Sequence, residues 1–326
     1  MNHKAMLLSI CTLLVCSVTA IAQDIGIIAT KTVDTMTELA QGPHKGFRAN
    51  HAKGTFVAGT FTPGTEAKKL SAAPHFQTAV PVVVRFSTGT GVPTLPDASP
   101  HARPYGMAIR FNLPDRSFTD IVSISYNGFP VSKPEQFLEL LTAIKNAPTE
   151  TTKPTALDKF MAAHPAAATF AKDPKPVPMS FANQPFFGVN SFIFEDLNGK
   201  QQYFRYRIVP KAGIKHMADP DAEKATADVL MSEIQTRVIA APVEFLLQAQ
   251  LPNHGDALLD GSQTWPDDRT IVELGTIKLD SIPADVTQLD KQMFNPLILP
   301  KGIVASADPV LQFRPAAYAV SYGRRL

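Results

Sequence analysis

Val80-Pro81-Val82-Val83-Val84-Arg85-Phe86-Ser87 is the stretch from which this chain is best read. Its β-branched valines favour an extended strand, and a proline is tolerated near a strand's start. Arg85 alone interrupts the apolar run. A guanidinium drawn into a core must meet an anion, because an unpaired buried charge is strongly destabilising. That anion is either a protein carboxylate or part of a bound ligand.

Similar runs recur outward from this strand, at Gly106 to Phe111, Asp120 to Ser125, Phe245 to Leu251 and Ile271 to Leu279. Phe186 to Phe194 and Gln201 to Val209 read as the arms of a hairpin, with Asn198-Gly199 as its turn. In the second arm Phe204, Tyr206 and Ile208 alternate with Arg205 and Arg207, so one face is buried and the other polar. Helical spacing is rarer. Ser132-Lys133-Pro134-Glu135 reads as a capping box ahead of Phe137, Leu140, Leu141 and Ile144. Leu157, Phe160, Met161 and His164 mark a shorter helix, and Asp219-Pro220 opens a third carrying Leu230, Ile234 and Val238. The many short strands predict an α+β fold, with an antiparallel β-barrel or sandwich core and flanking helices. With 44% hydrophobic residues in 326, the chain has material for that core, and its 28 prolines suit short elements and many loops.

Residues 1–22 read as an export leader. Lys4 supplies the positive end, Met6 to Val18 the apolar run, and Ala20-Ile21-Ala22 a small-x-small cleavage site before Gln23. The run is shorter than the roughly 20 residues a bilayer span requires. The expectation is therefore a leader at 1–22 and one secreted domain at 23–326. Both cysteines, Cys11 and Cys16, fall in the leader, so the remainder has no means to form disulfides or thiolate metal sites. The formal charge is +2, with no run of five basic residues, which argues against a nucleic-acid partner. No later stretch is apolar enough to span a membrane.

The chain carries no Gly-x-Ser-x-Gly elbow, Walker loop, His-Glu-x-x-His or Gly-x-Gly-x-x-Gly. Three constellations remain. In Arg48-Ala49-Asn50-His51-Ala52-Lys53-Gly54, a histidine flanked by two cations suits a general base beside an anionic ligand. Arg85 is the second. The third is Arg314-Pro315-Ala316-Ala317-Tyr318, continuing through Tyr322, Arg324 and Arg325. As a helix with Pro315 in its first turn, it puts Arg314 and Tyr318 one turn apart on one face. A cation there favours phenolate, a ligand for ferric iron. The same residues are equally those of an ordinary C-terminal helix with basic residues at its dipole-favoured end.

Taken in order, these segments resemble the haem catalase superfamily. Arg48…His51-Ala52-Lys53-Gly54 is similar to its distal histidine motif. Val84 to Thr88 and Pro104 to Phe111 resemble the two blocks that follow. Asp120-Ile121-Val122 through Asn127 to Val131 resembles the distal asparagine segment, and Phe294-Asn295-Pro296 through Arg314, Tyr318 and Arg325 the proximal one. The resemblance implies haem, taken as haem b, and a role for each residue. His51 is the acid–base histidine, Ser87 its hydrogen-bond partner and Asn127 the distal asparagine. Tyr318 is the iron ligand and Arg314 its cationic neighbour. Arg48, Arg85 and Arg325 hold the propionates, so that Arg85 finds its anion in the cofactor.

The chain ends soon after Tyr318, where typical catalases continue, and carries Tyr105 and Tyr322 where arginine and histidine are usual. The resemblance is therefore to the small, secreted catalase-related peroxidases. It implies a periplasmic monomer or small homo-oligomer that reduces organic peroxides, with hydrogen peroxide as a further substrate, using a small-molecule reductant. A minimal true catalase, or a non-enzymatic haem carrier or sensor, are the alternatives.

Overall fold

Burial along Val80–Ser87 alternates at first, then becomes complete, and that pattern follows from how the sheet closes. The computed structural model describes residues 23–326. The leader read at 1–22 lies outside the described residues. A helix over residues 23–39 (α1) leads to strand β1 (Gly54–Pro63), the short helix α2 (Thr65–Leu70) and β2 (Val80–Ser87). Strands β3 (Gly106–Asn112) and β4 (Phe118–Ile124) follow, then helices α3 (Pro134–Asn146), α4 (Ala156–Ala163) and α5 (Pro165–Lys172). Next come β5 (Phe186–Phe187), β6 (Phe192–Glu195), β7 (Gln201–Pro210), α6 (Asp219–Lys224) and α7 (Val229–Ala240). The chain ends with β8 (Val243–Gln250), β9 (Ile271–Ser281), α8 (Val286–Asp290), β10 (Ile303–Ala305) and α9 (Pro309–Arg325).

The strand order β7-β5-β4-β3-β2-β1-β9-β8, with β8 pairing back onto β7, closes an eight-stranded barrel. Every pairing is antiparallel, and closure removes the unpaired edges an open sheet would leave. Val82, Val84 and Phe86 of β2 enter the main core with Phe61, Phe111, Phe186, Phe204 and Phe245. The period of two then sends Arg85 and Ser87 to the outer face. There they are buried as well, because helices and loops cover that side of the barrel.

The expected α+β barrel with flanking helices is therefore present. Several local expectations are corrected. The first hairpin arm is two strands, β5 and β6, interrupted at residues 188–191, where Val189 and Asn190 turn to a cavity. The helix opened by Asp219-Pro220 ends at Lys224, and a second begins at Val229. Buried Asp97 accepts the N–H groups of Leu230 (3.0 Å) and Met231 (3.1 Å), which fixes that new start. Ser132 caps nothing. Helix α3 begins at Pro134, and both the backbone N–H and the hydroxyl of Ser132 go to the Gln136 side chain. Pro315 lies inside α9 rather than in its first turn, because Asp308-Pro309 is the stronger start. Asp308 Oδ1 accepts from the N–H groups of Val310 (2.9 Å) and Leu311 (3.3 Å). Strand β1, helix α1 and helix α5 carry no signal singled out in the sequence.

Candidate active site

The covered outer face of β2, β3, β4 and β5 forms one wall of a cavity through Arg85, Ser87, Ala108, Val122, Ile124 and Phe187. Helix α9 supplies Phe313, Arg314, Ala317, Tyr318, Ser321, Tyr322 and Arg325, three to four residues apart along one face. Helix α1 adds Thr32, Val33 and Met36, and Phe129, Pro134 and Phe137 come from the start of α3 and the turn before it. The walls are predominantly apolar, with a few polar groups converging.

His51 is the first of these groups. Its backbone has φ of 54°, the left-handed region that non-glycine residues seldom adopt and that costs on the order of 1–3 kcal/mol. That conformation turns the chain into β1 and sets the imidazole over the β2–β3 pair. Ser87 stands opposite Gly54 on β1 and Gly106 on β3. Ser87 Oγ is 3.1 Å from His51 Nδ1, which leaves the other ring nitrogen for the cavity. Glycine at 106 is required by space: a Cβ there would lie 2.6 Å from Ser87 Oγ and 2.8 Å from His51 Nδ1. Burial, reinforced by the nearby Arg85 guanidinium, pushes the His51 pKa down to about 4. The imidazole is thus neutral at neutral pH, ready to accept a proton.

On α9, Nε and Nη2 of Arg314 both donate to the Tyr318 oxygen, at 3.0 and 2.9 Å. Two guanidinium donors on one phenol oxygen suit an anionic oxygen. Arg314 is held in turn: its Nη1 donates to Asn190 Oδ1 at 2.8 Å, and Asn190 Nδ2 donates to Asp308 Oδ2 at 2.8 Å. Asn190 and Asp308 are fully buried and were not singled out in the sequence. Their only sequence signal was Asp308 before a proline, a helix start.

Arg48, Arg85 and Arg325 meet at a fourth residue missed in the sequence, Asp290. Its Oδ1 is 2.5 Å from Arg48 and 3.5 Å from Arg85. Arg48 and Arg325 also donate to the Asp290 and Gln292 carbonyls. Two guanidinium groups thus share one carboxylate, and the third, Arg325, is held beside it on backbone carbonyls. Burial and the neighbouring Arg48 pull Arg85 down to about 9 and Arg325 to about 10. Burial opposes ionisation of Asp290, but Arg48 and Arg85 outweigh it and hold its pKa below the usual carboxylate value.

Two residues singled out in the sequence stand apart from the cavity. Asn127 is not on the cavity wall. Tyr126 donates to Asp173 at 2.6 Å and draws this turn outward, and the Asn127 carbonyl accepts the Thr264 hydroxyl at 2.7 Å. Ile124 and Phe129 line the cavity on either side of it. Lys53 holds no ligand beside His51. Its ammonium lies 2.8 Å from Asp97 and 2.6 Å from Asp228, away from the cavity.

A family model described as Catalase matches residues 46–326. The chain belongs to the catalase family. Within it, the chain is 34% identical over 290 residues to a catalase-related peroxidase of Synechococcus elongatus, covering 87% of this chain and 85% of that one. It is 35% identical over 285 residues to a catalase-related peroxidase of Mycolicibacterium paratuberculosis, covering 86% and 89%. These relatives put it on the peroxidase branch of the family, and it is an enzyme. A crystal structure of a fungal catalase superposes with a TM-score of 0.75 at 20% identity, over 86% of this chain but 60% of that one. No helix among the described residues is long and apolar enough to cross a membrane.

Catalases and their relatives depend on haem, and the cavity's donor set fits that group. The Arg85 Nε is buried without a hydrogen-bond partner, and two of the three guanidinium charges have no protein carboxylate of their own. A cofactor with two carboxylates would balance them. Tyr318 offers an oxygen ligand beside apolar walls that suit a porphyrin face.

Proposed function

We propose that this enzyme is a haem b peroxidase that reduces organic hydroperoxides to alcohols, using one-electron donors. One hydroperoxide and two donor hydrogens give one alcohol, one water and two donor radicals. The observation that carries the reading is the pairing, within one cavity, of a neutral His51 held by Ser87 with a Tyr318 held by Arg314. Tyr318 would ligate the iron, and Arg48, Arg85 and Arg325 would hold the propionates. The haem supplies the redox chemistry of O–O cleavage. His51 takes the hydroperoxide proton on its free ring nitrogen and returns it to the departing oxygen, a general base and then a general acid. Ser87 keeps the ring oriented for both transfers. Arg314 stabilises the Tyr318 oxygen in its anionic form. Met36, Phe129 and Phe137 give an organic substituent an apolar surface, which supports organic hydroperoxides over hydrogen peroxide. The leader at 1–22 supports export, with a periplasmic location in a cell that has two membranes.

The test is an absorption spectrum of the purified protein, followed by cumene hydroperoxide with a phenolic donor. A Soret band that changes on adding peroxide, with donor oxidation and little oxygen release, is expected. His51→Ala should keep the Soret band and lose the response, and Tyr318→Phe should lose or alter the band. Oxygen release from hydrogen peroxide far faster than donor oxidation would instead identify a true catalase. An unchanged spectrum in Tyr318→Phe would refute the ligand assignment.

A further inference from the structure

The His51 turn is strained, with φ of 54°, and such a conformation persists only where its surroundings over-determine it. Two cations grip it. Arg85, on the cavity wall, donates from Nη1 to the His51 carbonyl at 3.0 Å and from Nη2 to the Ala52 carbonyl at 3.1 Å. Lys53 grips it away from the cavity. Its Nζ lies 2.6 Å from Asp228 Oδ1 and 2.8 Å from Asp97 Oδ1, and donates to the Ala227 carbonyl at 2.8 Å and the Leu95 carbonyl at 3.3 Å. Arg85 also has the cofactor to hold, whereas Lys53 has no part in the chemistry.

Asp97 makes that grip rigid. It is fully buried, its Oδ2 accepts the Leu230 and Met231 N–H groups at the start of α7, and its carbonyl accepts the Tyr105 hydroxyl at 2.9 Å. Tyr105 precedes Gly106, the residue packed against Ser87 Oγ and His51 Nδ1. The Lys53 carbonyl accepts the N–H of Thr88, the residue after Ser87, at 3.1 Å. Both partners of the His51–Ser87 hydrogen bond are thus tied, through chain neighbours, to Lys53 or Asp97. An ion pair of this kind holds its place, because separating it leaves an uncompensated charge in the core. We propose that Lys53, paired with Asp97, is a positioning residue for the His51 imidazole. It touches neither substrate nor cofactor and acts through the short length of backbone that joins it to His51. This deepens the function proposed above and rests on it for the proton that His51 moves.

Cyanide separates the two claims. Hydrogen cyanide gives up its proton when it binds ferric haem, and His51 is the base that takes it, with no O–O bond to break. Association is followed by stopped flow in the haem-loaded wild type, His51→Ala, Lys53→Met and Lys53→Arg. Methionine keeps an unbranched side chain of similar length and loses the charge, whereas arginine keeps the charge. Lys53→Met should bind cyanide roughly 10- to 100-fold more slowly, the scale of an ångström-sized misplacement, with Lys53→Arg close to wild type. The rate constant for cumene hydroperoxide should fall by a similar factor, while the Soret band and KM for the phenolic donor stay unchanged. The acid limb of its pH profile, set by His51 at about 4, should move towards 6.5 as the ring leaves its buried seat near Arg48, Arg85 and Arg314. A merely structural role would lower the melting temperature and leave that limb in place. If Lys53→Met does not fold, Lys53→Met combined with Asp97→Asn removes both charges, and the asparagine oxygen can still accept from Leu230 and Met231. Wild-type cyanide association and an unmoved acid limb in the folded variant, or Lys53→Arg as slow as Lys53→Met, would overturn the inference. Equal association in wild type and His51→Ala would overturn both claims. Association that depends on His51 and Lys53, in a protein that turns over no hydroperoxide, would sink the peroxidase reading alone.

Discussion

His75 should make this protein acid-sensitive in a way that a single substitution removes. The residue is 1% exposed inside the barrel, and its Nδ1 has no hydrogen-bond partner. Its ring centroid lies 4.1 Å from Phe76, 5.0 Å from Phe111 and 6.3 Å from Phe61. Nothing there stabilises an imidazolium, and burial pushes its pKa from 6.5 down to about 3. Below pH 6.5 the unfolded chain therefore binds a proton that the folded chain refuses. Stability falls as the pH drops from 6.5 towards 3 and is indifferent to this group above 6.5. At pH 5 the loss is about 2 kcal/mol, from 1.5 pH units at about 1.36 kcal/mol each. His51, lowered to about 4 by burial and Arg85, adds a similar loss over the same interval. The wild-type profile alone cannot separate the two, so the comparison is with His75→Leu. Leucine is close to histidine in volume and does not titrate. Urea unfolding at pH 8 and pH 5 gives four free energies. Wild type should lose about 2 kcal/mol more than His75→Leu between the two pH values. His51, the carboxylates and the cofactor are common to both proteins and cancel. Equal losses would show that water or a partner reaches the His75 ring when it is charged, and would refute the reasoning.

Two further outcomes follow from the site. Gly106→Ala forces a Cβ to 2.6 Å from Ser87 Oγ and 2.8 Å from His51 Nδ1, so the imidazole must move. Peroxide turnover should drop about 100-fold, the scale of an ångström-sized misplacement, while circular dichroism stays unchanged; full activity would show that the ring position is not critical. Asp290→Asn leaves Arg48 and Arg85 without their shared carboxylate, with Arg325 close by. Because Asp290 is 40% exposed, the cost should be only about 1–2 kcal/mol in urea unfolding of the cofactor-free protein at low ionic strength. Salt or sulfate should recover part of it, and a salt-independent deficit would point to lost packing instead.

What could be read in the sequence was whatever depends on neighbours along the chain. The β-branched apolar run of Val80–Ser87 marked a strand, and Arg85 stood out because it broke that run. Arg314 and Tyr318 were readable as a pair because four residues is one helical turn, and they are hydrogen-bonded as that spacing requires. His51 and Ser87 are 36 residues apart and came together in the reading only through the resemblance to catalases. Local signals also misled where a stronger one stood nearby: Asp308-Pro309 took the helix start that Pro315 suggested.

Sequence by itself thus marked the barrel strands other than β1, about half of the helices and the family, and through that resemblance it pointed to the main polar side chains of the site. Tertiary structure alone decided who holds them. Asn190 meets Arg314 across 124 residues and Asp290 meets Arg48 across 242, contacts that exist only once the barrel has closed and α8 and α9 lie against it. It also decided exclusion. Asn127 stands off the wall with its carbonyl accepting the Thr264 hydroxyl, and Lys53 pairs with Asp97 and Asp228 instead of facing the cavity. Propensity and periodicity act over a few residues, whereas burial and charge pairing are settled by whatever the fold brings within a few ångströms.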